Sequence, residues 1–194
     1  MPPTRKGLIA AGIAASCGIL LATAIFGYLR YRVPEERREL DGYFRHTFPP
    51  IHSQVKSIQA GIAGLVDETA PAPETAAAIL EENVLPSIDY VLAQLGEVRL
   101  STLEARALHE GYVAIVREMR QDATAMRDIF RDPALDAAEK RRRAHTRVRQ
   151  LGTRFEPFYA RTVEVLRENR IRVEGFAGAP GAPPDNGPPS PASP

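Results

Sequence analysis

The sequence predicts an all-α protein: an N-terminal transmembrane helix followed by an elongated up-down-up-down four-helix bundle. Three observations carry this. Gly7 to Leu29 is an unbroken apolar run without a charged residue. From there to residue 174 the apolar pattern is helical throughout, with no strand-like alternation of useful length. The last stretch, Gly175 to Pro194, is rich in Pro, Gly, Ala and Ser and nearly devoid of large apolar side chains. The domains are therefore 1–33 (membrane anchor), 34–174 (bundle) and 175–194, a tail too poor in apolar surface to offset the entropy of ordering.

About 23 residues at 1.5 Å rise give a helix of ~35 Å, enough to cross a bilayer's hydrocarbon core with some tilt. Arg5-Lys6 and Arg30, Arg32 bracket it. Two other readings compete with the anchor. A secretory signal would have Ala22-Thr23-Ala24 as its cleavage site, but would leave an apolar Ile25–Leu29 at the new N-terminus. A lipoprotein signal on Cys17 has too short an apolar core before it. Orientation is contested. Basic residues near the membrane number two before the segment and five after it, which favours a cytoplasmic bundle. A short basic N-terminal tail resembles the start of an export signal, and on that ground the bundle is placed on the extracytoplasmic side. Cys17, the only cysteine, lies inside the apolar run, so the rest of the chain has no disulfide or thiolate site.

The helices follow in order. Phe44, Phe48, Ile51, Val55, Ile58, Ile62 and Leu65 form the seam of the first. Leu80, Val84, Ile88, Val91 and Leu95 form that of the second, which Gly96 should end. Ser101 to Glu104 reads as a capping box for the third, whose stripe is Leu108, Tyr112, Ile115, Met119, Met126 and Phe130, with Asp122 as a polar interruption. Asp132-Pro133 reads as the start of the fourth, with Val148, Leu151, Phe155, Phe158 or Tyr159, Thr162 and Leu166 as its seam and Gly175 as its stop. Short connections between helices argue for antiparallel neighbours. The layout resembles that of bacterial membrane-anchored helical bundles, sensory ones among them.

The motifs of several chemistries are missing. There is no Glu-x-x-His pair for a di-iron site, no Cys-x-x-Cys-His for covalent haem, and no phosphate-cradling Gly-rich loop. Spacing alone leaves room for a haem held by Met119 or Met126 with His145, but methionines at helical spacing are far more often core filler. No cofactor, metal or catalytic residue is expected, and the chain is read as non-enzymatic. A formal net charge of +1 argues against a general nucleic-acid binder.

Two residue clusters remain as candidate sites. Lys140, Arg141, Arg142, Arg143 and Arg147 would dock an anionic partner, unless they only solvate a helix face beside Asp128, Asp132, Asp136 and Glu139. The second cluster comes from the helix breakers. Counted from the membrane side, Pro49, Pro157, Pro86 and Gly111 stand at roughly 22, 22, 17 and 14 Å, one belt across four helices. Around it fall His52, Tyr90, His109, Tyr112, Phe155, Phe158 and Tyr159, a composition suited to a small-molecule site. The competing reading is an ordinary aromatic core layer. A metal between His52 and His109 is weaker, since each flanks its seam. The expected function is a membrane-anchored, extracytoplasmic protein-interaction or scaffold module of a bacterial-type cell envelope. The alternative is a ligand-sensing bundle. Expected partners are the bilayer through residues 7–29 and a protein; self-association is compatible with the pattern.

Overall fold

A computed structural model describes residues 34–67 and 69–173. The expected membrane segment and the tail lie outside the described residues. No helix of the described residues is long and apolar enough to cross a membrane. They are all-α, with four helices. Helix α1 covers residues 34–64 and contains a π-helical turn, Tyr43–Thr47, before its α-helical part Phe48–Gly64. Helix α2 is built the same way: Pro73–Ile79, a π turn Leu80–Val84, then Leu85–Glu97. Helices α3 (Leu103–Arg131) and α4 (Ala137–Glu168) are long and uninterrupted.

The two π turns have a visible cause. Leu40, Phe44 and Phe48 recur every four residues, as do Ala76, Leu80, Val84 and Ile88, and all seven are buried. On a regular helix each four-residue step overshoots a full turn by ~40°, so such a row drifts off the core. A wider turn holds it in place. The bonds Phe48 N–H to Tyr43 O and Leu85 N–H to Leu80 O mark the widening. Prolines follow each time. Pro49 and Pro50, and likewise Pro86, fall in the first turn of the restarted α segment, where a missing N–H matters least. Pro157 differs, lying inside α4 without a break in the helix.

The expected seams are largely the buried ones, with Ile58, Ile115 and Val148 only partly covered. Helix α3 packs along α2 and α4, while α1 lies against α2 and touches α4. Cross-helix bonds fix the heights. Glu39 meets Ser101 and Thr102 at one end, where Arg37 also reaches the Arg170 carbonyl. Arg131 pairs with Glu81 toward the other end, where Arg141 reaches the Ala70 carbonyl at 3.5 Å.

Four expected boundaries are corrected. Ser101 and Glu104 do not form a capping box: the N-cap is Thr102, without a side-chain capping bond. The Glu39 carboxylate takes that region instead, accepting from the amides and hydroxyls of both Ser101 and Thr102 at 2.5–2.8 Å. Glu104 turns to Arg161 of α4 and to Asn169, the residue just past its end. The start of α4 is Asp136, not Asp132. Asp132 bonds the Ala134 amide two residues on, closing a turn, while Asp136 accepts from the Glu139 amide as a true N-cap. Finally, α4 ends at Glu168 rather than near Gly175. Arg170 adopts φ 55°, Ile171 N–H returns to Leu166 O, and Arg170 N–H returns to Arg167 O. That is the Schellman pattern, with Leu166 and Ile171 both buried beneath it. Gly96 likewise does not end α2; it lies inside the last turn.

Candidate functional site

Six of the seven belt residues are drawn into or against the core. Tyr112, Phe155 and Phe158 are buried, and their rings pack on Phe48 and on one another at centroid separations of 4.8–6.4 Å. His52 is half-buried, stacked on Phe48 at 4.9 Å. Its Nδ1 lies 3.0 Å from the Tyr112 hydroxyl, and its Nε2 lies 3.5 Å from that of Tyr159. His109 occupies a separate bond set. Its Nε2 lies 3.1 Å from the Leu95 carbonyl, which can only accept, so this nitrogen carries the proton. Nδ1 of the neutral ring then accepts from the Tyr43 hydroxyl at 3.1 Å.

Burial decides the electrostatics here. It pulls the His52 imidazole down to about 4, with nearby Lys56 adding to the effect. It lowers His109 too, against opposing pulls from the Leu95 carbonyl and Glu110. Burial raises the phenols of Tyr43 and Tyr112 well above their ordinary range, and Tyr159 to about 12. Near neutral pH this is a layer of uncharged rings joined by hydrogen bonds across α1, α3 and α4. Among the described residues no group of three or more His, Cys, Asp or Glu could hold a metal.

Tyr90 stands apart. It is 61% exposed on α2, on the wall of an open groove between α1 and α2. Two cavities form this groove and share Gln54. The upper one, about 550 Å³, is bounded by Ser57 and Ile58 of α1 and by Asn83, Pro86 and Tyr90 of α2. The lower one, about 350 Å³, is bounded by His46, Thr47 and Pro50 of α1 and by Gln94 and Glu97 of α2. Neither is lined by Tyr112 or Phe155. Of the helix breakers, Pro86 borders one cavity and Pro50, next to Pro49, borders the other, on the α2 side of α1 rather than among the rings; Pro157 and Gly111 border neither. Pro50 and Pro86 line the groove with short side chains. The side-chain oxygen Oε1 of Gln94 is buried without a hydrogen-bond partner among the described residues. Sequence reasoning missed the amides and hydroxyls of this wall: Gln54, Ser57, Asn83 and Gln94. Their signal is a run of small and neutral polar residues along the face of α1 and α2 that flanks each seam.

The basic run is less concentrated in space than in sequence. Lys140 is buried to 8% exposure. Arg142 and Arg143 both pair with Glu139, and Arg141 approaches the Ala70 carbonyl. Arg147 turns inward to Asp122 at 3.3 Å. The Asp122 side chain, 4% exposed, also meets Arg154 at 2.8 Å, and Arg154 in turn reaches Glu118. The polar interruption in the α3 seam is thus a carboxylate gripped by two guanidiniums seven residues apart on α4. Comparison with family models, curated proteins and solved structures returns no match for this chain.

Proposed function

We propose that the chain is a non-enzymatic binding module: an elongated up-down-up-down four-helix bundle held at a membrane by residues 7–29, with the bundle on the extracytoplasmic side of a bacterial-type envelope. Its α1/α2 groove takes an extended segment of a protein partner. The observation that carries this reading is the groove itself, open to solvent along two helices and walled by neutral amides and hydroxyls around an exposed tyrosine. Exposed aromatics beside adaptable polar groups favour protein recognition. The His52 and His109 imidazoles and the buried Asp122 carboxylate are committed to internal bonds, and in the basic run Arg142 and Arg143 share Glu139 while Arg147 pairs with Asp122. These features support adhesion between macromolecules over chemistry on a substrate.

Two measurements test it. A reporter that is active only outside the cytoplasm, fused after Glu174, should be active; activity of a cytoplasm-only reporter there reverses the orientation. A photo-crosslinking amino acid at position 90 of the full chain, irradiated in intact cells, should capture a polypeptide. Capture of nothing at position 90 would remove the groove from the function. The alternative, a small-molecule sensor, draws on the cavity volume, which falls in the range of ligand sites.

A further inference from the structure

The groove reading leaves its occupant open, and the chain itself supplies a fitting one. The residues after Val173 contain Pro180, Pro183, Pro184, Pro188, Pro189, Pro191 and Pro194. Pro180 and Pro183 are three apart, and so are Pro188, Pro191 and Pro194. Polyproline II geometry repeats every three residues, so each set would share one edge of such a helix. Segments of this type dock in grooves that combine aromatic faces with side-chain donors for the exposed carbonyls. Tyr90 offers the ring and hydroxyl, and Gln54, Asn83 and Gln94 offer amides.

Position agrees with chemistry. The described chain ends against α1 at the height of the lower cavity: the Arg172 carbonyl accepts from Arg45 at 3.3 Å, and the next two residues of α1, His46 and Thr47, line that cavity. From Val98 up to Asn83 the groove wall is about 15 residues of mostly helical chain, or roughly 22 Å. Residues 175–194 in polyproline II form span ~60 Å. The tail is long enough to run the whole groove, and tethering keeps it near at an effective concentration on the order of millimolar, so even weak contacts would fill the site.

We infer that the proline-rich tail, residues 175–194, docks in the α1/α2 groove of its own chain against Tyr90, so that an outside partner must displace it. This rests on the reading of the groove as a peptide-binding site. The test uses the full chain in its membrane, with p-benzoylphenylalanine at position 90 and, as a control, at exposed Arg117 of α3. Irradiation followed by digestion and mass spectrometry should link position 90 to a peptide from 175–194 within one chain. About tenfold less of that product is expected from position 117, where tethering acts without a groove. Replacing Pro183, Pro184, Pro188 and Pro189 by Ala should reduce the position-90 product several-fold while helicity is unchanged. Equal tail crosslinking from both positions, or tail peptides joined only between differently labelled copies, would overturn the inference. Capture of another protein at position 90 with no tail product overturns it too, but leaves the groove reading standing. Silence at position 90 removes both.

Discussion

Arg170 stops α4 in a conformation that side chains with a Cβ adopt only at some expense. Its φ of 55° is the left-handed value that the Schellman turn requires, and glycine usually fills this place. The native arginine is held there by the Ile171-to-Leu166 bond and the apolar contact beneath it. Arg170→Gly should therefore stabilise the protein by about 0.5–1 kcal/mol, the left-handed strain outweighing the extra freedom of an unfolded glycine. Thermal unfolding should shift upward by about 2–4 °C; a downward shift would mean that the arginine side chain makes a compensating contact. The sequence concealed this stop because the residue type is wrong for it, and the first glycine comes five residues later. The same limit applies to Glu39. A carboxylate that satisfies two amides and two hydroxyls more than sixty residues away has no local signature. Near the α3 start, Ser-x-x-Glu was the only visible candidate, and the local pattern lost to a tertiary partner.

At the level of elements, hydrophobic spacing carried most of the information. The seams of all four helices were legible because burial and the 3.6-residue period act together on every residue of a face. The widened turns were present as consecutive four-residue spacings, yet a reading tuned to 4-3-4-3 passes over them. Pro50 and Pro86 then lay on the helices that form the groove while Pro157 and Gly111 did not, since spacing does not tell which flank of a seam meets a neighbour and which is left open. Polar pairing between α3 and α4 was equally hidden. Asp122 lies on the buried stripe and is matched by Arg147 and Arg154. Removing one arginine leaves the other, so Arg147→Gln alone should cost less than about 1 kcal/mol, since that guanidinium is well exposed. Arg147→Gln with Arg154→Gln strands a buried carboxylate and should cost about 3 kcal/mol or more. Urea titration of the singles and the double would show this as clear non-additivity. Additive small losses would mean that water reaches Asp122 without the arginines.

For the molecule as a whole, the same buried groups set how folding responds to acid. His52 has its folded-state value near 4 against an ordinary 6.5, because burial in the ring layer penalises the charged form. Between those values the unfolded chain binds more protons than the folded one, so stability falls as pH drops from 6.5 toward 4 and is fully present above 6.5. His109, shifted the same way, adds to this loss. Glu39 acts lower on the scale. Burial alone would raise it, but the hydrogen bonds from Thr102 and Ser101 win and hold it at about 2 against an ordinary 4.5. Its contribution is therefore complete above 4.5 and disappears as pH falls through 2. The two windows overlap slightly near pH 4 to 4.5, which predicts a continuous decline in stability from pH 6.5 downward rather than a single acid step. Variants should separate the windows. His52→Gln removes the titrating ring, so its stability should change less between pH 6.5 and 4, by about 2 kcal/mol relative to the native chain once partial exposure is allowed for. Glu39→Gln should instead flatten the curve below 4.5 and lower stability at neutral pH, because a charged acceptor of four bonds is lost. Thermal midpoints measured at half-unit steps from pH 7.5 to 2.5 would decide it. A native profile that stays level down to pH 4.5 would show that the His52 ring takes up its proton in the folded bundle as readily as in water, and that the ring layer between α1, α3 and α4 is open rather than dry.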